Sequence, residues 1–376
     1  MKIVVLGAGL VGGPMAADLA ADPLFEVTAV DVNADALARL SPSSHLHILQ
    51  ADLSRPENVR RAVAGQDLVL SAVPGFMGFR TLQAVLEAQR NVVDIAFFPE
   101  DPFALDALAR AKDVTALVDC GVAPGMSNVL TGYSQHRLDV VRSVLIYVGG
   151  LPEVREWPYD YKAVFSPVDV IEEYIRPARY VQNGVLVVRP ALSDPELINF
   201  PGLGTLEAFN TDGLRTLIGT IAAPDMKEKT LRYPGHIEKM AVLRETGFFS
   251  QDEIDIGGVK VRPLDVTAKL LFPKWKMGPA DRDITVMKIV VEGTKDGQSR
   301  RFTYDLLDRF DEETGVHSMA RTTGYTATVA ARMLVRGLFA EKGVFAPESV
   351  GRRPECVEFL LAGLKERGIV YKETIE

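Results

Sequence analysis

The opening of the chain constrains its fold most. An apolar run, Lys2–Leu6, feeds directly into Gly7-Ala8-Gly9-Leu10-Val11-Gly12, and residues 10–21 then carry helical spacing with Met15 and Leu19 on one face. A strand that ends in a glycine turn and continues as a helix is the first half of a β-α-β unit, and the pattern repeats. Apolar runs at 26–30, 47–50, 67–71, 91–94 and 115–119 alternate with amphipathic stretches at 34–40, 56–64, 76–89 and 102–112. Six strands with five crossovers predict an α/β fold, a doubly wound parallel sheet of the Rossmann kind.

After Gly125 the rhythm changes. Runs at 140–149, 185–188, 260–262, 284–292 and 301–305 predict a second α+β domain with a mixed or antiparallel sheet, and Asp296-Gly297 between two alternating runs predicts a two-residue hairpin. Helices are expected over 228–245, 322–338 and 354–367, the last stopped by Gly368. The expected division is a dinucleotide-binding domain at 1–125 and a substrate-binding and dimerisation domain at 126–321. Helices from about 322 to 376 are expected to pack back on the first domain.

Charge and cysteine content narrow the class of function. A formal net charge of -8 offers no concentrated basic surface for nucleic acid. Two cysteines, Cys120 and Cys356, make neither a disulfide framework nor a metal site, which fits a reducing cytoplasm. The apolar start is broken by glycines and by Asp18, so it predicts neither a leader nor a membrane span.

In the glycine turn, Gly7 permits the tight bend, Gly9 lets backbone approach a pyrophosphate and Gly12 lets helix and strand pack closely. Leu10 and Val11 complete the cradle, whose amides and helix end favour an anion. Asp31, at the end of the second strand, is placed to hold the ribose hydroxyls and to repel the extra phosphate of NADP, so NAD is the expected cofactor. A helix N-cap is its other reading. Asp52 is expected near the adenine or in a plain turn. Ala72, Val73 and Pro74 are expected beside the cofactor or as an ordinary strand exit.

The later segments are more distinctive. They are Val118-Asp119-Cys120-Gly121-Val122-Ala123-Pro124-Gly125-Met126, Tyr147-Val148-Gly149-Gly150-Leu151-Pro152, Tyr161-Lys162, Leu206 through Leu214, and Thr230-Leu231-Arg232-Tyr233-Pro234-Gly235-His236. Together these resemble the saccharopine dehydrogenase-like superfamily, and within it the L-lysine 6-dehydrogenases. The resemblance implies a homodimer or homotetramer that oxidises a C–N bond. For the lysine branch it implies NAD-dependent conversion of L-lysine to allysine and ammonia, the allysine cyclising to 1-piperideine-6-carboxylate. Two departures separate this chain from saccharopine-forming relatives: Ala123 stands where they carry aspartate, and Thr211 where they carry arginine before Asp212. Arginine is the natural bidentate holder of a carboxylate, so its loss fits a substrate without the glutarate arm.

Such chemistry needs a base to deprotonate the ammonium and help for water attack. Motif membership nominates Tyr161, Lys162, Asp212 and His236 as catalytic candidates. Arg232, Asp94 and Asp119 are candidates for substrate binding. Each also has a plain alternative: an ion pair for Lys162 and Arg232, a capping or packing role for His236, caps for the two aspartates. Cys120 reads as a small filler. Trp157 and Tyr159 suit a lid, a dimer loop or core packing, and Trp275, between lysines, is expected at the surface or an interface. No metal is expected. The rival readings are a saccharopine or carboxyalkyl-polyamine oxidoreductase and a non-catalytic NAD-binding regulator.

Overall fold

The parallel sheet forms as the alternation requires. In a computed structural model describing residues 1–40, 44–278 and 280–376, the strands are β1 (Lys2–Leu6), β2 (Glu26–Asp31), β3 (Leu46–Gln50), β4 (Leu68–Ser71), β5 (Asn91–Asp94) and β6 (Thr115–Leu117). Their order is β6-β5-β4-β1-β2-β3, every neighbouring pair parallel. A seventh strand, Gly343–Phe345, pairs in parallel with β6. Three residues carry no periodicity, which is why the sequence shows six strands and the sheet has seven. β6 also stops two residues early: Asp119 has φ 51, a left-handed backbone that cannot continue a strand.

The first compact unit comprises Met1–Asp139 and Met319–Tyr371. It runs past residue 125 because the helix Met126–His136 packs against the short helix Pro347–Gly351. Backbone touches backbone there: a Cβ on Gly351 would sit 2.1 Å from the Val129 carbonyl oxygen, and one on Gly132 2.3 Å from that of Glu348. Across the crossing, the Asn128 amide donates to the buried Glu348 carboxylate at 3.1 Å. The late helices are tied to the first one through Asp18, which accepts from Arg332 at 2.8 Å, Arg367 at 2.7 Å and Thr328 Oγ1 at 2.6 Å.

The second unit comprises Val140–Ser318 and Lys372–Glu376. Its mixed sheet is built from β7 (Val140–Pro152), β8 (Ala178–Gln182), β9 (Val185–Arg189), β10 (Glu196–Phe200), β11 (Gly204–Asn210) and β12 (Asp225–Arg232). After a separate hairpin, β13 (Ile254–Ile256) with β14 (Val259–Val261), come β15 (Asp283–Lys295) and β16 (Gln298–Arg309). The order is β10-β11-β12-β7-β15-β16, extended by Tyr371–Ile375, with β8 and β9 attached beside β12. Only β12 and β7 run parallel among the pairs of β7, β11, β12, β15 and β16. The Asp296-Gly297 hairpin forms with φ 51 and φ 74, the two positive values of a type I′ turn.

Residues 228–245, expected as one helix, divide. β12 runs through Arg232, and the helix begins only at His236. The stretch Asp225–Arg232 is rich in charge and reads as a solvated helix, yet seven of its eight residues are less than half exposed because both faces of the strand are covered. Trp275 is likewise in the core, fully buried among Tyr159, Tyr161 and Tyr174, not at a surface. No helix among the described residues is long and apolar enough to cross a membrane.

The Gly351 crossing is rigid on both sides, so Gly351→Ala should lower stability by about 2–3 kcal/mol in urea unfolding, the cost of overpacking against backbone. A loss under about 0.5 kcal/mol, the size of an ordinary surface change, would mean the two helices separate freely.

Candidate functional site

In the first unit, the cofactor candidates gather at the C-terminal edge of the sheet. Gly7 has φ +95, and a Cβ there would meet the Ala72 carbonyl oxygen at 2.5 Å. A Cβ on Gly12 would lie 2.0 Å from the Gly7 carbonyl oxygen, so only glycine lets this helix start so close to its strand. A Cβ on Gly9, by contrast, would meet nothing within 4 Å. The turn is thus pinned on its inner side by Gly7 and Gly12 and open at Gly9, which is the shape a pyrophosphate needs. Leu10 and Val11 form its outer lip, Leu10 half exposed.

Asp31 closes the second side. One carboxylate oxygen accepts the Ala8 amide at 2.7 Å and the other the Asn33 amide at 2.8 Å. The adjacent N-cap is Asn33, whose own side chain accepts from Asp35 and Ala36. Val73 is buried behind the turn, and Pro74 is the residue before the helix Gly75–Glu87. Asp52 sits in a local turn, half-buried, with Oδ1 accepting the Ser54 amide at 3.0 Å and hydroxyl at 2.6 Å. Those bonds, the hydroxyl first, hold its carboxyl below the usual range. Just beyond it lies a cleft of about 130 Å³ whose lining includes Leu53, Ser54, Phe76, Met77 and Arg80.

Asp94 ends β5 and Asp119 lies two residues past β6, both buried. Asp94 Oδ2 accepts the Ala96 amide at 3.2 Å. Between them Cys120 is buried, and burial followed by the two aspartate charges pushes its thiol up to about 12. A thiol held so firmly is no nucleophile near neutrality.

The second unit concentrates its polar groups on one face of β12. Glu228, Thr230 and Arg232 alternate along the strand and therefore point the same way, and all three are buried. Arg232 donates through Nε to Tyr174 Oη at 3.2 Å, through Nη1 to the Leu231 carbonyl at 2.9 Å and through Nη2 to Glu173 at 2.5 Å. Its guanidinium also lies 4.6 Å from the centre of the Tyr161 ring. Tyr174 Oη is 3.0 Å from His236 Nε2, and His236 Nδ1 is 2.8 Å from the Tyr159 carbonyl. A carbonyl only accepts, so Nδ1 carries the proton and Nε2 accepts from Tyr174. Burial, then the Arg232 charge, drops His236 to about 3, so the imidazole is neutral. Burial raises the Tyr174 phenol to about 12 despite Arg232.

At the other end of the row, Thr211 Oγ1 donates to Glu228 and lies 2.9 Å from Thr230 Oγ1. Burial raises the Glu228 carboxyl to about 8; the Thr211 and Gly213 hydrogen bonds oppose that, while Glu173 and Asp212 reinforce it. Glu228 is the functional candidate that sequence reasoning missed, because the strand bearing it was expected as helix. The alternation of Glu228, Thr230 and Arg232 was the available signal.

Of the nominated residues, Tyr161, Arg232 and His236 therefore come together. Asp212 lies next to Thr211 but is held by Arg179 in a two-pronged ion pair at 2.7 and 2.9 Å. Lys162 stands apart, between Glu156 at 3.0 Å and Asp281 at 3.4 Å. Burial pulls its ammonium down, but those two carboxylates outweigh burial and the net shift is upward. A base needs the reverse, so the geometry gives Lys162 its ion-pair reading. Tyr233 is a packing residue whose hydroxyl donates to the Pro152 carbonyl at 2.9 Å, and Trp157 is 88% exposed.

Comparison with known proteins fits both units. Residues 3–117 match the saccharopine dehydrogenase NADP binding domain, and residues 121–369 match the saccharopine dehydrogenase C-terminal domain. The chain belongs to the saccharopine dehydrogenase family. It is 24% identical to the mitochondrial alpha-aminoadipic semialdehyde synthase of Mus musculus, over 98% of this chain but 47% of that protein. It thus spans about half the length of the synthases it matches. It is also 24% identical to the carboxyaminopropylagmatine dehydrogenase of Synechocystis sp., over 100% of this chain and 98% of the other. The saccharopine dehydrogenase (L-Glu forming) structure from Saccharomyces cerevisiae superposes with a TM-score of 0.82 at 20% identity, covering 100% of this chain and 99% of that one. That likeness establishes a shared fold.

The buried carboxyl has a measurable signature. From the ordinary carboxyl range up to about 8, folded Glu228 keeps a proton that the unfolded chain has lost, so stability falls as pH rises through that window. Glu228→Gln cannot titrate, and its stability relative to the parent should climb by roughly 1 kcal/mol per pH unit from pH 5 to 8, then level off. His236 acts in the opposite direction. Its neutral form stabilises fully above 6.5 and that contribution is lost as pH falls toward about 3. Parallel urea-stability curves for Glu228→Gln and the parent across pH 5–8 would show that Glu228 is ionised throughout.

Proposed function

We propose that the protein is an NAD-dependent dehydrogenase that oxidises the ε-carbon–nitrogen bond of L-lysine. The balanced reaction is L-lysine, NAD+ and water giving allysine, ammonium, NADH and a proton, with allysine cyclising to 1-piperideine-6-carboxylate. The observation that carries the lysine reading is the Thr211–Glu228 contact. The resemblance implies an arginine at the Thr211 position in saccharopine-forming relatives. Here a carboxylate-bearing arm would meet a buried carboxyl and a hydroxyl already committed to it. An amine-bearing arm meets an acceptor.

The glycine turn and Asp31 support a dinucleotide in the first unit, and the cleft past Asp52 suits its adenine. When bound, the nicotinamide accepts hydride from the carbon that bears nitrogen. The chain must present that nitrogen with its lone pair free, exclude stray water and hold the carboxylate end. Asp31 supports NAD: its carboxylate, fixed by the Ala8 and Asn33 amides, meets ribose hydroxyls as an acceptor and an added phosphate as a like charge. The family domain bears NADP in its name, so cofactor choice is part of the test. Proton-holding groups come from the β12 row and the helix that follows it: His236 is neutral and Glu228 changes charge near 8. A catalytically silent binder has no use for such a row, since burying it costs stability that apolar residues would not. We expect the enzyme to work as a homodimer or homotetramer.

The full-length likeness to a carboxyaminopropylagmatine dehydrogenase supports one second reading, oxidation of a carboxyalkyl polyamine. NADH formation with L-lysine, saccharopine and a carboxyalkyl polyamine in parallel separates the two. Turnover with ammonia release from lysine alone is expected; turnover only with an N-substituted substrate would replace lysine by that class. Asp31→Asn removes the charge and keeps one of the two amide contacts, its single side-chain oxygen accepting where two did before. It should cut the preference for NAD over NADP by about tenfold, the size of one removed like-charge contact. An unchanged ratio would take cofactor choice away from Asp31.

A further inference from the structure

Counting charges along the β12 row leaves one carboxyl over. Arg232 is engaged by Glu173, Arg179 by Asp212, and Lys229 by Glu196 at 2.8 Å and the Asp194 carbonyl at 2.8 Å. These three cations thus each have their own carboxylate, Lys227 lies over the Tyr180 ring at 4.6 Å, and none of the four is bonded to Glu228. Glu228 instead takes a hydroxyl from Thr211 and the Gly213 amide. The turn holding those donors is shaped around it: a Cβ on Gly213 would lie 2.3 Å from both Cδ and Oε2 of Glu228. The other groups that face it are Thr230, beside Thr211, and the carboxyls of Glu173 and Asp212, which bear on it only as like charge. A buried carboxyl with two neutral donors and, among the described residues, no cation bonded to it is a site built for one positive charge.

Hydrogen-bond polarity says which end of a ligand suits it. Thr211 has one hydroxyl proton, and it is spent on Glu228. Toward anything else, Thr211 Oγ1 is therefore an acceptor. It welcomes an N–H and rejects a carboxylate oxygen. Thr211 keeps 5% and Asp212 8% exposure, so this turn, more than Arg232 at 2%, is the end of the row nearest solvent.

We propose that Thr211, oriented by Glu228, receives a primary ammonium of the substrate, with Glu228 supplying the counter-charge and so selecting amine over carboxylate arms. This rests on the lysine reading above and adds the residues that would enforce it. The proton balance is explicit. The ammonium binds with its N–H toward Thr211 Oγ1, the Glu228 O–H bond breaks, and that proton leaves to solvent. Thr211 contacts the ligand, and Glu228 is a positioning residue acting through it.

The test is calorimetric binding of L-lysine to the full chain with saturating NADH, which permits no lysine oxidation, in two pH 7 buffers of different ionisation enthalpy. L-norleucine, which lacks the distal nitrogen, is the control. The parent should release about one proton per lysine bound and none with norleucine. Glu228→Gln should release none and bind lysine about tenfold more weakly, the worth of a lost charge-assisted contact. Thr211→Val should behave alike, which covers a folding failure of either variant, and NADH binding reports an intact first unit. Absent lysine binding, equal binding by parent and variants, or binding without proton release each overturns the proposal. Proton release without NADH formation from lysine and NAD+ would instead sink the reaction assigned above and leave the ammonium site standing. Oxidation of lysine with unaltered kinetics in Glu228→Gln would do the opposite.

Discussion

The second unit depends on Arg232. It is a guanidinium with almost no access to water, and its donors go to Glu173, Tyr174 and the Leu231 carbonyl. Removing Glu173 would strand a buried charge, a loss of several kcal/mol, and losing Tyr174 would leave a buried donor unpaired, so helix Pro167–Ile175, strand β12 and the start of helix His236–Glu245 are fixed in relation to each other. Tyr174 passes the constraint on to His236, and His236 to the Tyr159 carbonyl. The aromatic cluster of Tyr161, Tyr174 and Trp275 fills the space around this chain of bonds. Packing and polarity specify the same arrangement, which is the condition for a single native structure.

The first unit obeys a simpler rule, that of close backbone approach. Gly7 and Gly12 are glycines because carbonyl oxygens stand where side chains would be. This part was legible in the sequence. Short apolar strands alternating with amphipathic helices have two separable periods, and a glycine turn in register marks where they meet. The Asp296-Gly297 hairpin was legible for the same kind of reason, since few sequences tolerate two successive positive φ values.

What was illegible follows from burial that sequence cannot report. Residues 228–232 were expected as the start of a helix and lie in a central strand, where Lys229 and Arg232 can be buried because Glu196 and Glu173 pair with them. Trp275 between lysines suggests surface, yet the lysines turn outward and the indole inward. Lys162 sits in a distinctive motif, but its neighbours Glu156 and Asp281 come from elsewhere along the chain and give it an ordinary ion pair. Glu228 has the converse history: its alternation with Thr230 and Arg232 is the one local mark, and the return of Thr211 and Gly213 over it makes it unusual. Motif membership picked out Tyr161, Arg232 and His236, which the fold brings together, and Lys162, which it sets in an ion pair.

The strand Gly343–Phe345 has a consequence for how the chain reaches its native state. It completes a sheet whose other six strands lie before residue 118, so the sheet's edge waits on residues made more than two hundred positions later. Until then β6 offers an unpaired apolar edge, a template for wrong partners. The intervening segment is itself a compact unit, and if it collapses first it replaces a long floppy loop by a short tether. The order of synthesis and the order of assembly then differ: the part of the chain that emerges first would be the last to be finished. Between residues 118 and 345 a nascent chain of this design carries its parallel sheet one strand short, which makes a chaperone's protection most useful to the unit that looks, from its sequence, the easier to fold.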